Sequence, residues 1–186
     1  SGLAAYVLLT VSMALGLSVS TRATDLLSKR AHVNEGHQTL SVLAGVLIGM
    51  HVGLLLAHSY VRFSLVEVLV PFASSWRPIP AAMGTISMYL VAVVLLTSAL
   101  REHMSYRAWR VLHFVAFPAW AMATIHGIFA GSDSQFAAIQ YMYLTSFALV
   151  LLLIAFGVFA PRKGVQRTSG PPAAAPEDIR RLAPDS

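Results

Sequence analysis

The feature that most limits the fold of this chain is a series of five apolar runs, each about long enough to cross a lipid bilayer. A helix needs about 20 apolar residues to cross a hydrocarbon core of about 30 Å, and inside lipid only helices and closed barrels satisfy their backbone hydrogen bonds. The sequence therefore predicts an all-α integral membrane bundle of five transmembrane helices. We number these helices one to five, and place them at residues 3–20, 36–60, 81–100, 106–133 and 137–160.

Composition agrees with this fold class and narrows the chemistry. Charged residues make up 11% of the 186 residues and hydrophobic residues 56%, whereas an average soluble domain is about 25% charged. The chain has no cysteine, which excludes disulfides, iron–sulfur clusters and a thiolate-bound haem. Its net charge of +5 comes from residues scattered between apolar runs. We therefore expect membrane lipid as a partner and no nucleic acid.

Two segments do not fit the pattern of spans. The run at residues 64–72 is apolar but too short to cross a bilayer, so we expect it to lie at the membrane interface. The tail at residues 164–186 is rich in Pro, Ala, Arg and Asp and has little to bury, so we expect it to be disordered. The predicted division is a transmembrane bundle at residues 1–163 followed by this tail.

Four histidines lie inside the spans as two pairs. Helix two carries His37 and His51, 14 residues apart, and helix four carries His113 and His126, 13 residues apart. Ionisable side chains within a membrane helix are costly, so they usually face the bundle interior and have a function there. A histidine near both ends of two helices suggests two stacked haems, each held between one imidazole from helix two and one from helix four.

Helical phase supports this interpretation for one helix only. At about 100° per residue, His51 lies within about 40° of His37 and shares its face. The same calculation puts His126 about 140° away from His113 on an ideal helix. Pro118 lies between the two, and an interior proline kinks a helix and alters its winding. A kink at Pro118 would remove the misfit.

Other interpretations of the histidines stay open. A single histidine in an apolar run is more often a packing residue, which would make this a membrane scaffold without haem. A transporter also uses histidines in its spans, but it would need acidic partners, and Glu35 and Asp133 lie only at span edges. His58 is either an interfacial residue or a substitute ligand near the surface. Met50 and Met122 lie within spans but lack the paired placement.

The placement of Lys and Arg predicts the orientation. With the N-terminus outside, eleven of the thirteen Lys and Arg residues fall on the cytoplasmic side, and only Arg62 and Arg77 fall outside. The positive-inside rule favours this arrangement, so we expect a multi-pass cell-membrane protein with a cytoplasmic C-terminus. Helices two and four then run in the same direction, with His37 and His113 near the inner face. The two histidine levels are about 20 Å apart at 1.5 Å per residue.

Basic residues at the start of helix four are candidates for cofactor binding. Arg107 and Arg110 lie near the predicted inner level, and arginine pairs well with carboxylates such as those of haem. Their position is equally typical of a positive-inside anchor beside an interfacial tryptophan.

The chain resembles the ferric reductase-like transmembrane domain family over residues 36–159. The resemblance depends on the motifs TSALR (Thr97–Arg101) and WRVLHFVAF (Trp109–Phe117), on the His126-Gly127 and Gly131-Ser132-Asp133 endings, and on the two histidine spacings. It implies a bundle that carries electrons across the membrane, with two b-type haems. The implied ligands are His37, His51, His113 and His126.

The large enzymes of that family carry a flavin and nicotinamide module after the last helix. Residues 161–186 are too short for a dinucleotide fold, so we expect a haem-bearing oxidoreductase subunit without that module. It would take electrons from a separate cytoplasmic flavoprotein or a quinol. The sequence does not choose among ferric iron, dioxygen, a quinone and a protein as acceptor, assigns no catalytic residue, and leaves the oligomeric state open.

Overall fold

The structure, a computed structural model, describes residues 1–21, 30–57 and 63–159. Within these ranges it is all-helical, as predicted, and five segments are long and apolar enough to cross a membrane. The tail at residues 164–186, His58 and most of the first connector lie outside the described residues. The helices are α1 (Gly2–Thr21), α2 (Arg30–Ala57), α3 (Leu65–Leu69), α4 (Pro78–Ala99), α5 (Tyr106–His113), α6 (Ala116–Ala130) and α7 (Ala137–Phe159).

Helix four of the prediction consists of two consecutive helices, α5 and α6, interrupted at Phe114 and Val115. The interruption lies four residues before Pro118, which has no N–H to donate to the Phe114 carbonyl. That carbonyl instead accepts from the Phe117 N–H at 3.1 Å, and Val115 N–H donates to Leu112 at 3.1 Å. Both are the shorter-range bonds of a 3₁₀ turn. The proline therefore interrupts the regular helix one turn before Pro118 itself, where its missing N–H leaves the Phe114 carbonyl without its usual partner.

Two helices begin earlier than predicted. The second starts at Arg30 rather than at residue 36, and α4 starts at Pro78 rather than at residue 81. Residues 30–35 are polar but contain no helix breaker, so the helix continues beyond the part that lipid can cover. Pro78 occupies the first position of α4, where a missing N–H costs nothing and the fixed φ of proline suits the helix.

The centre of the bundle is where α1, α6 and α7 meet. Tyr6, Trp120 and Tyr143 are buried there together with Met13 and Val150. The Trp120 indole N–H donates to Thr10 at 3.0 Å, which ties α6 to α1. Buried polar side chains and exposed apolar ones coexist throughout. The many exposed large apolar side chains are unlike the surface of a soluble protein and suit a bundle that has lipid around it.

The segment at residues 64–72 forms the short helix α3, which is too short to span, as expected. Glu67 holds this connector together: one carboxylate oxygen accepts from the Ser64 N–H at 2.9 Å, and the other accepts from the Ser75 N–H at 3.1 Å. Both serine hydroxyls donate to the same carboxylate. These bonds, led by the one from the Ser64 N–H, lower the pKa of Glu67 to about 2.

Candidate functional site

The four histidines of the spans meet as two pairs, and the partners are those that the parallel arrangement predicts. The ring centroids of His37 and His113 are 6.0 Å apart with an interplanar angle of 80°. Those of His51 and His126 are 6.4 Å apart at 71°. Because α5 and α6 are separated by the turn at Phe114, the phase calculated for one straight helix does not apply, and both rings of this span face α2.

Each pair lies across a cleft between packed helices. The second helix packs chiefly on α1, and α6 packs chiefly on α4. The histidines on α2 therefore approach those on α5 and α6 without close packing of the backbones that carry them. A site of this kind can hold a group between two rings, because neighbouring helices fix the width of the cleft.

His37 is fixed by one turn of α1. Its Nδ1–H donates to the Ser12 carbonyl at 2.8 Å. One turn further on, Gly16 leaves room for the ring, since a Cβ there would lie 3.1 Å from Cε1 of His37. A backbone carbonyl at one position and a glycine four residues later thus hold the imidazole in place.

His126 is fixed in the same way by one turn of α4. Its Nδ1–H donates to the Pro80 carbonyl at 2.9 Å. Four residues later, a Cβ on Gly84 would lie 2.5 Å from the same Nδ1 atom, so any side chain there would displace the ring. We call the pairs Ser12/Gly16 and Pro80/Gly84 the two cradle turns. With Nδ1 donating to a carbonyl, Nε2 of His37 and of His126 is left as an acceptor, which is the form that binds a metal.

The other two histidines are held differently, although a Cβ on Gly2 would lie 3.2 Å from Cε1 of His51, much as at Gly16. Nδ1 of His51 lies 3.4 Å from the Ser1 hydroxyl. His113 stacks on Trp109, with centroids 4.9 Å apart and an interplanar angle of 26°. Its Nδ1 atom is buried and has no hydrogen-bond partner.

Neither arginine predicted near the inner level is seen in contact with the histidine pair. Arg107 is exposed, and the guanidinium of Arg110 lies over the Phe114 ring at 5.7 Å. Arg101 is linked to the pair through Trp109, which stacks on His113: its guanidinium lies 4.7 Å from the centroid of Trp109. Arg107 and Arg110 remain predicted cofactor contacts.

The separations of the rings suit a single metal atom bound from both sides. An imidazole nitrogen lies about 2.0 Å from its metal and the ring centroid about 1.1 Å behind it, so two such rings have centroids about 6 Å apart. Among the described residues, no group of three or more His, Asp or Glu side chains is placed to hold an ion. Paired histidines therefore suit a metal whose other ligands come from a macrocycle better than a bare ion.

A cavity of about 620 Å³ opens beside the His51/His126 pair. Its size lies within the range of ordinary cofactor and ligand sites. Apolar side chains line most of it, and Glu67, Trp76 and Asp133 lie at its polar margin. The residues of the connector 63–77 thus form part of the wall of this histidine site.

Sequence reasoning missed the cradle turns and the stack on His113. Trp109 precedes His113 by four residues, the spacing at which two side chains on a helix touch, so the stack had a local signal. The carbonyls of Ser12 and Pro80 had none, because every residue carries a carbonyl and only the fold decides which one meets a histidine.

The fold and the site define a class: a helical membrane protein with two pairs of facing histidines inside its spans. The profile of the family described as "Ferric reductase like transmembrane component" matches residues 1–124. The chain belongs to this family. The match includes α1 and three of the four paired histidines and ends two residues before His126. A search of curated proteins finds no significant match.

Proposed function

We propose that this chain is a b-type di-haem transmembrane electron-transfer protein. The observation that carries the proposal is the facing of His37 with His113 and of His51 with His126, at 6.0 and 6.4 Å between centroids. These separations match two rings bound to one metal. Membership of the ferric reductase-like family supports an electron-transfer role across the membrane. Haem iron bound between two imidazoles accepts and releases single electrons.

The residues of the chain have distinct parts in this proposal. His37, His51, His113 and His126 are the axial ligands, and the cradle turns orient two of them. Arg107 and Arg110 are the proposed contacts of the carboxylates of the inner haem. Residues 1–163 make up the proposed haem-binding bundle, followed by the tail at residues 164–186 on the cytoplasmic side.

Orientation gives the direction of transfer. With Ser1 outside, as the distribution of Lys and Arg favours, His37 and His113 lie near the cytoplasm and His51 and His126 near the outer face. Reductant is abundant in the cytoplasm, so electrons enter at the inner pair and leave at the outer one. The donor is a separate flavoprotein or a quinol, and the exposed basic stretch that includes Arg101 and Arg107 is its docking surface. Reporter fusions to the tail and to the loop at Asp133 should report opposite sides of the membrane.

Visible absorption and a pyridine haemochrome assay on the purified protein test the proposal. The four-ligand arrangement predicts the spectrum of low-spin b-type haem and about two haems per chain. Edge-to-face packing of aromatic rings covers centroid distances of about 4.5–7 Å, so a scaffold with directly packed histidines would have the same ring spacing but no absorption. A protein without haem after expression with haem supplied would end the proposal.

A further inference from the structure

Two buried nitrogen atoms on α5 have no hydrogen-bond partner. Among the described residues, Trp109 Nε1 and His113 Nδ1 are the buried side-chain nitrogen or oxygen atoms left unpaired. Buried donors are almost always satisfied, because an unpaired one costs about 1–3 kcal/mol. Trp109 Nε1 always carries a hydrogen and can only donate. The described protein atoms offer this N–H no acceptor. Another group must therefore supply one.

The neighbours of Trp109 indicate the charge of that acceptor. The guanidinium of Arg101 lies over one part of the indole at 4.7 Å from its centroid, and the His113 ring stacks on the indole at 4.9 Å. No described acidic side chain accepts a hydrogen bond from Trp109 Nε1. An N–H donor beside an arginine favours a negatively charged oxygen.

His113 also differs from the other three histidines in the group that lies beside its Nδ1 atom. His37 and His126 are oriented by carbonyls of α1 and α4, and His51 lies beside the Ser1 hydroxyl. His113 has no such partner, and its contacts in the structure are the ring of His37 and the stack with Trp109. Whatever holds Trp109 in place therefore also orients His113.

We propose that the Trp109 N–H and the Arg101 guanidinium bind an anionic oxygen beside the His37/His113 pair, and that Trp109 is thereby a positioning residue for His113. This inference rests on the proposed function. The oxygen belongs to a carboxylate of the macrocycle held by the pair, or to the phosphate of a lipid headgroup.

The informative variant is Trp109→Phe, which keeps an aromatic ring for stacking on His113 and removes only the N–H. Loss of a partner behind a metal ligand typically weakens metal binding by about 10- to 100-fold. We expect one of the two haems to dissociate at least about 10-fold faster and its midpoint potential to fall, since an unneutralised carboxylate stabilises the ferric state. Arg101→Gln should change the same haem in the same direction.

Trp120→Phe is the matched control. Trp120 lies in the same span and its N–H has a partner inside the protein, Thr10. Its loss should lower thermal stability and leave both potentials unchanged. A purely structural role for Trp109 predicts this same pattern for Trp109→Phe, and that result would overturn the inference.

Two further arms identify the source of the oxygen. The protein is loaded with haem or with haem dimethyl ester, and each form is placed in phosphatidylglycerol nanodiscs or in dodecyl maltoside micelles, which contain no phosphate. A Trp109→Phe effect that disappears with the ester assigns the oxygen to the macrocycle; one that persists with the ester and requires phosphatidylglycerol assigns it to lipid. An effect insensitive to both overturns the inference. Wild-type protein that holds no haem would instead defeat the proposed function.

Discussion

The two histidine pairs lie at different levels of the same two membrane spans, yet they are built differently. At the His51/His126 end, a cradle turn of α4 fixes His126 and a cavity of about 620 Å³ lies beside the rings. At the other end, a cradle turn of α1 fixes His37, while His113 stacks on Trp109 beneath Arg101. One ring of each pair is thus fixed by a neighbouring helix, and the surroundings of its partner differ from end to end.

The two ends share one structural feature, the cradle turn, and differ in the residues around the second histidine of each pair. Both use a carbonyl and, four residues later, a glycine, a combination that sets the ring orientation and leaves space for it. The stack of Arg101, Trp109 and His113 occurs at one end. The connector that Glu67 holds together occurs at the other. A substitution in a cradle turn should therefore weaken the site at its own end, by an amount that depends on how closely its glycine approaches the ring, and a substitution in a feature found at one end should affect only that end.

Removing one ligand at each end should have the largest effect. His37→Ala and His51→Ala should each lower haem content from about two to about one per chain, because each pair depends on both of its rings. Pyridine haemochrome content and a redox titration would measure the loss. His32→Ala is the matched control, since His32 is an exposed histidine on the same helix and should change nothing. Loss of both haems from one substitution would mean that the two ends are not independent.

Filling the cradle turns should have the next largest effect. Gly84→Ala puts a Cβ 2.5 Å from Nδ1 of His126, so the ring must move and its bond to Pro80 is strained. Overpacking of this kind costs about 1–3 kcal/mol. We expect weaker haem retention at the His51/His126 end. Gly16→Ala, at 3.1 Å from His37, should produce a smaller loss at the opposite end, as measured by haem dissociation rates.

The control for the cradle turns is a glycine with open space around it. A Cβ at Gly49 or Gly53 would meet nothing within 4 Å, so alanine there should be neutral or stabilise the helix by up to about 1 kcal/mol. Equal loss of haem from Gly49→Ala and Gly84→Ala would show that the effect comes from helix packing in general and not from contact with His126.

The smallest effect should come from the connector. Glu67→Gln removes the charge that binds Ser64 and Ser75, so hydrogen exchange of the Ser75 amide should speed up while the His37/His113 end is unchanged. The pKa of Glu67 is lowered to about 2, below its ordinary value of about 4.3. The clamp therefore contributes stability above about pH 4.3, and that contribution is lost as pH falls toward 2. Exchange in the variant should lack this acid dependence.

Much of the architecture follows from hydropathy and spacing. The five spans and the partners of each histidine pair were predictable because lipid permits only long apolar helices and because the two spacings differ by a single residue. The start of α2 at Arg30 was not predictable. Hydropathy locates the part of a helix that lies within lipid, and it does not show where the helix begins. The direction in which His126 points could not be predicted without the turn at Phe114. That turn follows from Pro118, because Pro118 has no N–H to donate to the Phe114 carbonyl.

The surroundings of the histidines were less predictable. Gly84 and Gly16 look like any glycine in a membrane helix, and their contacts with His126 and His37 join residues on different helices. Arg101 was predicted only as part of a basic connector, because its contact with Trp109 depends on the 3₁₀ turn at Arg101–His103 between α4 and α5. Local spacing therefore identifies the ligand candidates, and the tertiary fold supplies the groups that orient them.

Electron transfer between the two ends tests the central proposal most directly. Proteoliposomes would hold a reductant and a partner reductase inside and an impermeant ferric chelate outside, with the C-terminus facing inward. The proposal predicts that wild-type protein reduces the chelate, and that His126→Ala keeps a reducible haem at the His37/His113 pair but delivers no electrons outside. Reduction of the chelate by His126→Ala at the wild-type rate would contradict the two-haem relay.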